Sequence, residues 1–185
     1  MIDEFSFCKE HYFRELDRKA ALTNALALPI GISTLISSGL VYVAKEIGVV
    51  SSRTDLFITS LLLAGTIFLL IAIVCLCKSY LGYTYQYIPA YADLQSYRTK
   101  LQGYYHGKPN ADDLSEVDVN TYVFEKISIS AQNNFDNNNR KSGYIYLANR
   151  ALVVALAFLL LAVIPISFGE FNLTFESIKT IIKGS

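Results

Sequence analysis

The sequence predicts an all-α fold: a membrane helical bundle with three transmembrane helices and a cytoplasmic helical extension. Three observations lead there. Of 185 residues, 52% are hydrophobic and only 17% are charged, which departs from the soluble balance in both directions. The charge is also segregated, because three long stretches carry almost none of it. Each of those stretches approaches the ~20 helical residues that a hydrocarbon layer of ~30 Å requires. Lys+Arg and Asp+Glu both total 16. That balance excludes a strongly basic nucleic-acid binder, and no direct nucleic-acid site is evident. The composition also excludes a disordered chain, a collagen-like chain and a disulfide-stapled domain.

The elements follow in order. Residues 1–19 are expected to form an amphipathic cytoplasmic arm, with Phe5, Cys8, Tyr12 and Leu16 at steps of three and four. This charged stretch has no short apolar core of the kind a signal peptide needs. It suits the membrane surface or an extension of the first span. Residues 20–78 are expected to form a transmembrane hairpin. Its first apolar segment runs from about Ala20 to Ala44, interrupted by small polar residues and Pro29. Its second, LFITSLLLAGTIFLLIAIVCLC from Leu56 to Cys77, is the cleanest. Residues 79–150 form a cytoplasmic helical region. Residues 151–169 form a third transmembrane helix, built on ALVVALAFLLLAVIPISF, and residues 170–185 an external tail.

Orientation follows from the basic residues. Lys9, Arg14, Arg18 and Lys19 lie in the arm, and eight more Lys or Arg lie between Lys78 and Arg150. The loop between the first two spans carries only Lys45 and Arg53. The positive-inside rule places the N-terminus and the middle region in the cytoplasm and the loop and tail outside.

The middle region holds eleven of the thirteen tyrosines. Tyr83, Tyr87 and Tyr91 would form one stripe if the second span's helix continued to about Ile88, although Pro89 would kink or break it. A turn is expected at Gly103–Asp113. Ser115 and Asp118 resemble a capping-box start. From there Val119, Val123, Ile127 and Ala131 repeat every four residues. The helix is expected to run on into the third span, roughly fifty residues and ~75 Å long. Its middle is asparagine-rich: Asn133, Asn134, Asn137, Asn138 and Asn139 flank Arg140. Asparagine favours caps over helix interiors. This segment therefore suggests a break, a solvated turn, or a polar face turned toward partner chains. In a symmetric oligomer, Asn133, Asn134, Asn137, Asn138 and Arg140 would form a hydrogen-bonded ring.

Catalytic signatures are absent. There is no phosphate-binding glycine loop, HExxH or GxSxG. Cys8, Cys75 and Cys77 lack histidine neighbours and suit packing better than a metal site, so no metal or cofactor is expected. Arg98 and His106 approach the Arg…His pair of helical ribonucleases, but seven residues separate them where four to six are usual. They are the only nuclease candidates, and no enzyme activity is expected.

The first span is the least lipid-like. Asn24, Ala27, Gly31, Thr34 and Ser38 fall at helical spacing on one face, opposite Leu28, Leu35 and Val43. A small, polar face in a membrane helix serves close helix packing or lines an aqueous pore. Three helices enclose no channel alone, so a pore needs a homo-oligomer. Asn24, Gly31, Thr34 and Ser38 are its candidate lining residues. No charge lies in the span, which favours a weakly selective passage.

The stretch NFDNNNRKSGYIYLANRALVVALAFLLLA, Asn134 to Ala162, resembles the asparagine-rich approach to the last span in helical membrane proteins that accompany bacterial antiphage systems. The resemblance is closest to the membrane accessory proteins of type VI-B CRISPR systems, matched also in length and, loosely, in Arg98 and His106. It implies an oligomeric pore that depolarises the bacterial inner membrane during phage defence, with a CRISPR effector or its RNA products as possible partners. The alternatives are a non-conducting scaffold or regulatory subunit that binds a partner protein through its tyrosine-rich cytoplasmic region, and a membrane-tethered ribonuclease.

Overall fold

A computed structural model describes the backbone of residues 3–47 and 53–183, and the side chains of residues 3–47 and 54–166. The order is α1 (Glu4–Asn24), α2 (Ala27–Ile47), α3 (Arg53–Tyr80), α4 (Tyr91–Tyr105) and α5 (Ala111–Lys183), with no strand among the described residues. Three of the helical stretches are long and apolar enough to cross a membrane. The chain divides into two compact units: residues 1–24 with 82–142, and residues 25–81 with 143–185.

The second unit is the apolar one. On α3 the buried positions are Ile58, Leu62, Gly65, Leu69, Ala72, Leu76 and Ser79. On α5 they include Ile145, Ala148, Leu152, Ala155, Leu159 and Ala162. Both series alternate steps of three and four, the 3.5-residue repeat of helices that pack side by side along their length. Large and small residues take turns, so leucines of one helix have room beside alanine, glycine or serine of another. In lipid, apolar helices would have no hydrophobic drive to associate, and a close van der Waals fit of this kind would supply the attraction. Two glycines mark the tightest approaches. A Cβ on Gly39 would stand 2.7 Å from Leu159 Cδ2, and one on Gly65 would stand 3.3 Å from Leu40 Cδ2. Pro29 sits in the first turn of α2, where its missing N–H costs nothing. Hydroxyls are satisfied locally: Ser33, Thr34, Ser37, Ser38, Thr59 and Thr66 each donate to the carbonyl four residues back. That habit lets a polar side chain live in an apolar helix. Lys78 lies over the Tyr144 ring at 5.7 Å and Arg150 over Tyr146 at 5.5 Å, the aromatic and basic pairing typical of a membrane boundary.

The first unit joins α1, the extended segment 83–90, α4 and the first part of α5. Asp3 caps α1: its carboxylate accepts from the Phe5 N–H and the Ser6 hydroxyl. The Ser6 hydroxyl holds the Asp3 pKa below the usual carboxylate value. The arm's apolar stripe packs inside this unit. Tyr12 is buried with Ile127 and Ala131, flanked by Cys8, Leu16 and Val123.

Several boundaries differ from the sequence expectation. The second span's helix ends at Tyr80, not near Ile88. Gly82 adopts a left-handed φ of 87°, the usual glycine stop beyond a helix. Tyr83 and Tyr87 therefore lie on extended chain, and only Tyr91 is helical. The last helix starts at Ala111, so Ser115 and Asp118 are interior, and the Ser115 hydroxyl donates to the Asp112 carbonyl. Asn110, with φ 60°, turns the chain into it. The asparagine run does not break α5, and neither does Pro165. The first apolar segment is interrupted by a turn at Ala25–Leu26. Asn24 consequently ends α1 and does not share a helix with Gly31, Thr34 and Ser38. The tail side chains and Ser51 lie outside the described residues.

Candidate functional site

Two arrangements hold the polar groups singled out in the sequence. The first is the outward side of α2. Its buried side consists of Pro29, Ser33, Ile36, Leu40 and Val43. Ala27, Gly31, Thr34, Ser38 and Lys45 are all exposed on the other side. A Cβ on Gly31 would meet nothing within 4 Å. A shallow groove along this side is lined by Ser37, Ser38, Val41, Tyr42 and Lys45. Of the residues expected opposite the polar face, Val43 is buried, whereas Leu28 and Leu35 are exposed beside the stripe. The face is thus a narrow polar strip with apolar flanks.

The second arrangement is a clamp around the extended segment 83–90. An extended chain leaves its N–H and C=O groups without a helix or sheet to take them. Here asparagine side chains take them. The Asn134 amide accepts from the Gln86 N–H at 2.9 Å and donates to the Gln86 carbonyl at 2.9 Å. Asn137 donates to the Thr84 carbonyl at 2.8 Å, and the Ile88 N–H donates to the Tyr12 hydroxyl at 3.3 Å. Residues 84, 86 and 88 share one edge of the segment, as the two-residue period of extended chain requires. One turn further along α5, Asn138 donates to the Glu15 carbonyl and carboxylate and accepts from the Tyr85 hydroxyl at 2.7 Å. Burial pushes the Tyr85 pKa above the ordinary tyrosine value. Arg18 reaches both Glu15 and Asn139.

Asn134 and Asn138 are therefore fully buried and spend their amides within the chain. Asn137 is half-buried, while Asn133 and Arg140 are exposed. Arg98 lies on α4 and His106 caps its C-terminal end, both exposed. Among the described residues, no group of His, Cys, Asp or Glu could hold a metal ion.

Glu15 and Lys141 carried no role in the sequence reading and Tyr12 only one on the arm's apolar stripe, yet with Thr23 they complete the polar interior. Lys141 is 5% exposed and donates to the Thr23 hydroxyl at 2.7 Å. Burial, then the nearby Lys19 charge, holds its pKa below the usual lysine value. A signal for it existed. Ile127, Ala131, Asn134, Asn138, Lys141, Ile145 and Ala148 continue one 3.5-residue stripe along α5, and the polar members sit on it among the apolar ones.

Comparison with known proteins gives no match to a family model, a curated protein or a solved structure.

Proposed function

We propose that this chain is an integral membrane protein that assembles with copies of itself into a weakly selective pore lined by the Gly31, Thr34 and Ser38 face of α2. One observation carries this: in the apolar unit that face is turned away from the packed core, exposed, small and polar. The exposed residues of α3, such as Leu63, Ile67 and Leu70, and of α5, such as Val153, Leu156 and Leu160, are large and apolar and suit lipid. A helix that offers lipid a strip of glycine and hydroxyls, with Lys45 at its end, gains more from facing water or another copy. The likeness of Asn134–Ala162 to antiphage membrane proteins supplies the setting: depolarisation of a bacterial inner membrane in CRISPR-linked defence, with the N-terminus and α4 cytoplasmic.

A second reading is a non-conducting scaffold that binds a partner protein. It is favoured by α4, which buries none of its residues and exposes Tyr91 and Tyr104 at 81% and 69%.

One experiment separates them. Ser38→Leu narrows a pore without adding charge, so depolarisation on overexpression should fall while insertion and oligomerisation persist. Ser38→Lys should be tolerated in a water-filled lining, whereas at a lipid-facing or sealed position it costs at least ~2.5 kcal/mol. Unchanged conductance in Ser38→Leu, with Ser38→Lys failing to insert, leaves the scaffold.

A further inference from the structure

Two lysine side chains of the first unit lie near the end of α1, neither paired with a carboxylate among the described residues. Lys141 has three N–H donors, and Thr23 takes one of them. The Thr23 hydroxyl itself donates to the Lys19 carbonyl at 2.8 Å, which ties the Lys141 ammonium to the end of α1. The Lys19 ammonium lies 4.4 Å from the centre of the Tyr85 ring and donates to the Tyr87 hydroxyl at 2.9 Å. Every one of these neighbours is neutral. The buried carboxylate of the unit, Glu15, is already engaged by Asn138 and Arg18. Among the described residues, neither lysine has an ion-pair partner.

A buried cation beside a second cation is costly unless an anion joins them. Thr23 stands one turn beyond Lys19 on α1 and holds the Lys141 ammonium, so Lys141 is brought to the face of α1 from which Lys19 projects. Lys19 is only half-buried and Thr23 is exposed, which leaves a side open to approach. Position in the sequence indicates what approaches. Lys141 stands one turn before Tyr144 and Ile145, and Lys19 directly precedes Ala20, where the first apolar segment begins. Both lysines are thus close in sequence to the start of an apolar stretch, the place where basic side chains of membrane proteins meet lipid phosphate.

We propose that Lys19 and Lys141 form an anion site that takes the phosphate of a lipid headgroup at the membrane boundary. The site requires the chain to be in a membrane but needs no pore, so its test reads no conductance.

The full chain, purified in neutral detergent, is given phosphatidylglycerol, phosphatidylcholine or inorganic phosphate. Unfolding midpoint and lipid retained in native mass spectrometry are measured. Phosphatidylglycerol should raise the midpoint and be retained; phosphatidylcholine should do neither. Lys19→Gln, at a half-exposed position that leaves folding intact, should weaken retention about fivefold, the effect of one basic side chain near a membrane surface. Lys141→Gln combined with it should abolish retention, and Lys100→Gln, on exposed α4, should leave it unchanged. An equal shift with inorganic phosphate overturns the lipid as source in favour of soluble phosphate. Equal retention of phosphatidylcholine, or undiminished retention in Lys19→Gln, overturns the site.

Discussion

Asn138 of α5 holds Glu15 of α1 twice through one amide nitrogen, at 2.7 Å to the main-chain carbonyl and 2.8 Å to the carboxylate. Both residues are buried. The Tyr85 hydroxyl closes the third side. A buried carboxylate survives only when donors meet it, and here Asn138 and Arg18 both donate to Oε2.

Removing that amide should be expensive. Asn138→Ala leaves the Glu15 carboxylate and the Tyr85 hydroxyl short of a partner, and destabilises by about 3 kcal/mol. Asn138→Asp should be worse, because it sets a second negative charge beside Glu15. Asn133→Ala, at an exposed position, should stay within about 0.5 kcal/mol. Thermal unfolding followed by circular dichroism in detergent reads all three.

The glycines of α2 should split by side. Gly39→Leu collides with Leu159, and overpacking costs about 1–3 kcal/mol or more. Gly31→Leu has open space around it in the chain, so the fold should hold. If α2 meets other copies through this side, crosslinking should show Gly31→Leu shifting the oligomer distribution. An unchanged distribution would argue that the Gly31 side faces lipid.

Lys141 makes stability depend on alkaline pH. Its folded pKa is lowered by burial first and by Lys19 second. Below that lowered value both folded and unfolded chains carry the proton, and the burial penalty is fully present. Between it and the ordinary lysine value of about 10.4, the unfolded chain binds more protons, so stability rises with pH. In detergent without anionic lipid the unfolding midpoint should climb through this window, and Lys141→Met should remove that part of the rise.

Topology can be checked by thiol labelling in a chain without its native cysteines. A cysteine at Asn110 should be protected from an impermeant reagent in intact cells, and one at Ser51 should react. The opposite pattern reverses the orientation inferred from the Lys and Arg counts.

Arg98 and His106 are both exposed, so Arg98→Ala and His106→Ala should each change stability by less than about 0.5 kcal/mol. RNA incubated with purified chain should stay intact. Cleavage that is lost in both variants would establish the ribonuclease reading over the pore.

The sequence by itself determined the all-helical class and the three helices long and apolar enough to span a membrane. Hydropathy and helix signals are local, so Leu56–Cys77 reads as long and apolar enough to span whatever surrounds it, and the four-residue repeat from Val119 to Ala131 reads as a helix heading for the last apolar segment. It also exposed the oddity of the asparagine run. What it left open was the role of each asparagine. Asn133 and Asn134 are chemically identical neighbours, yet one is exposed and the other fully buried. The difference comes from the 3.5-residue stripe of α5, which points Asn134 and Asn138 inward, and from partners far away in the chain. Gln86 lies 48 residues from Asn134, and Glu15 lies 123 from Asn138. Only the tertiary structure decided that these amides serve the unpaired backbone of segment 83–90 and a buried carboxylate. A hydrogen-bonding side chain declares what it can bond, and the fold alone determines which group stands within reach.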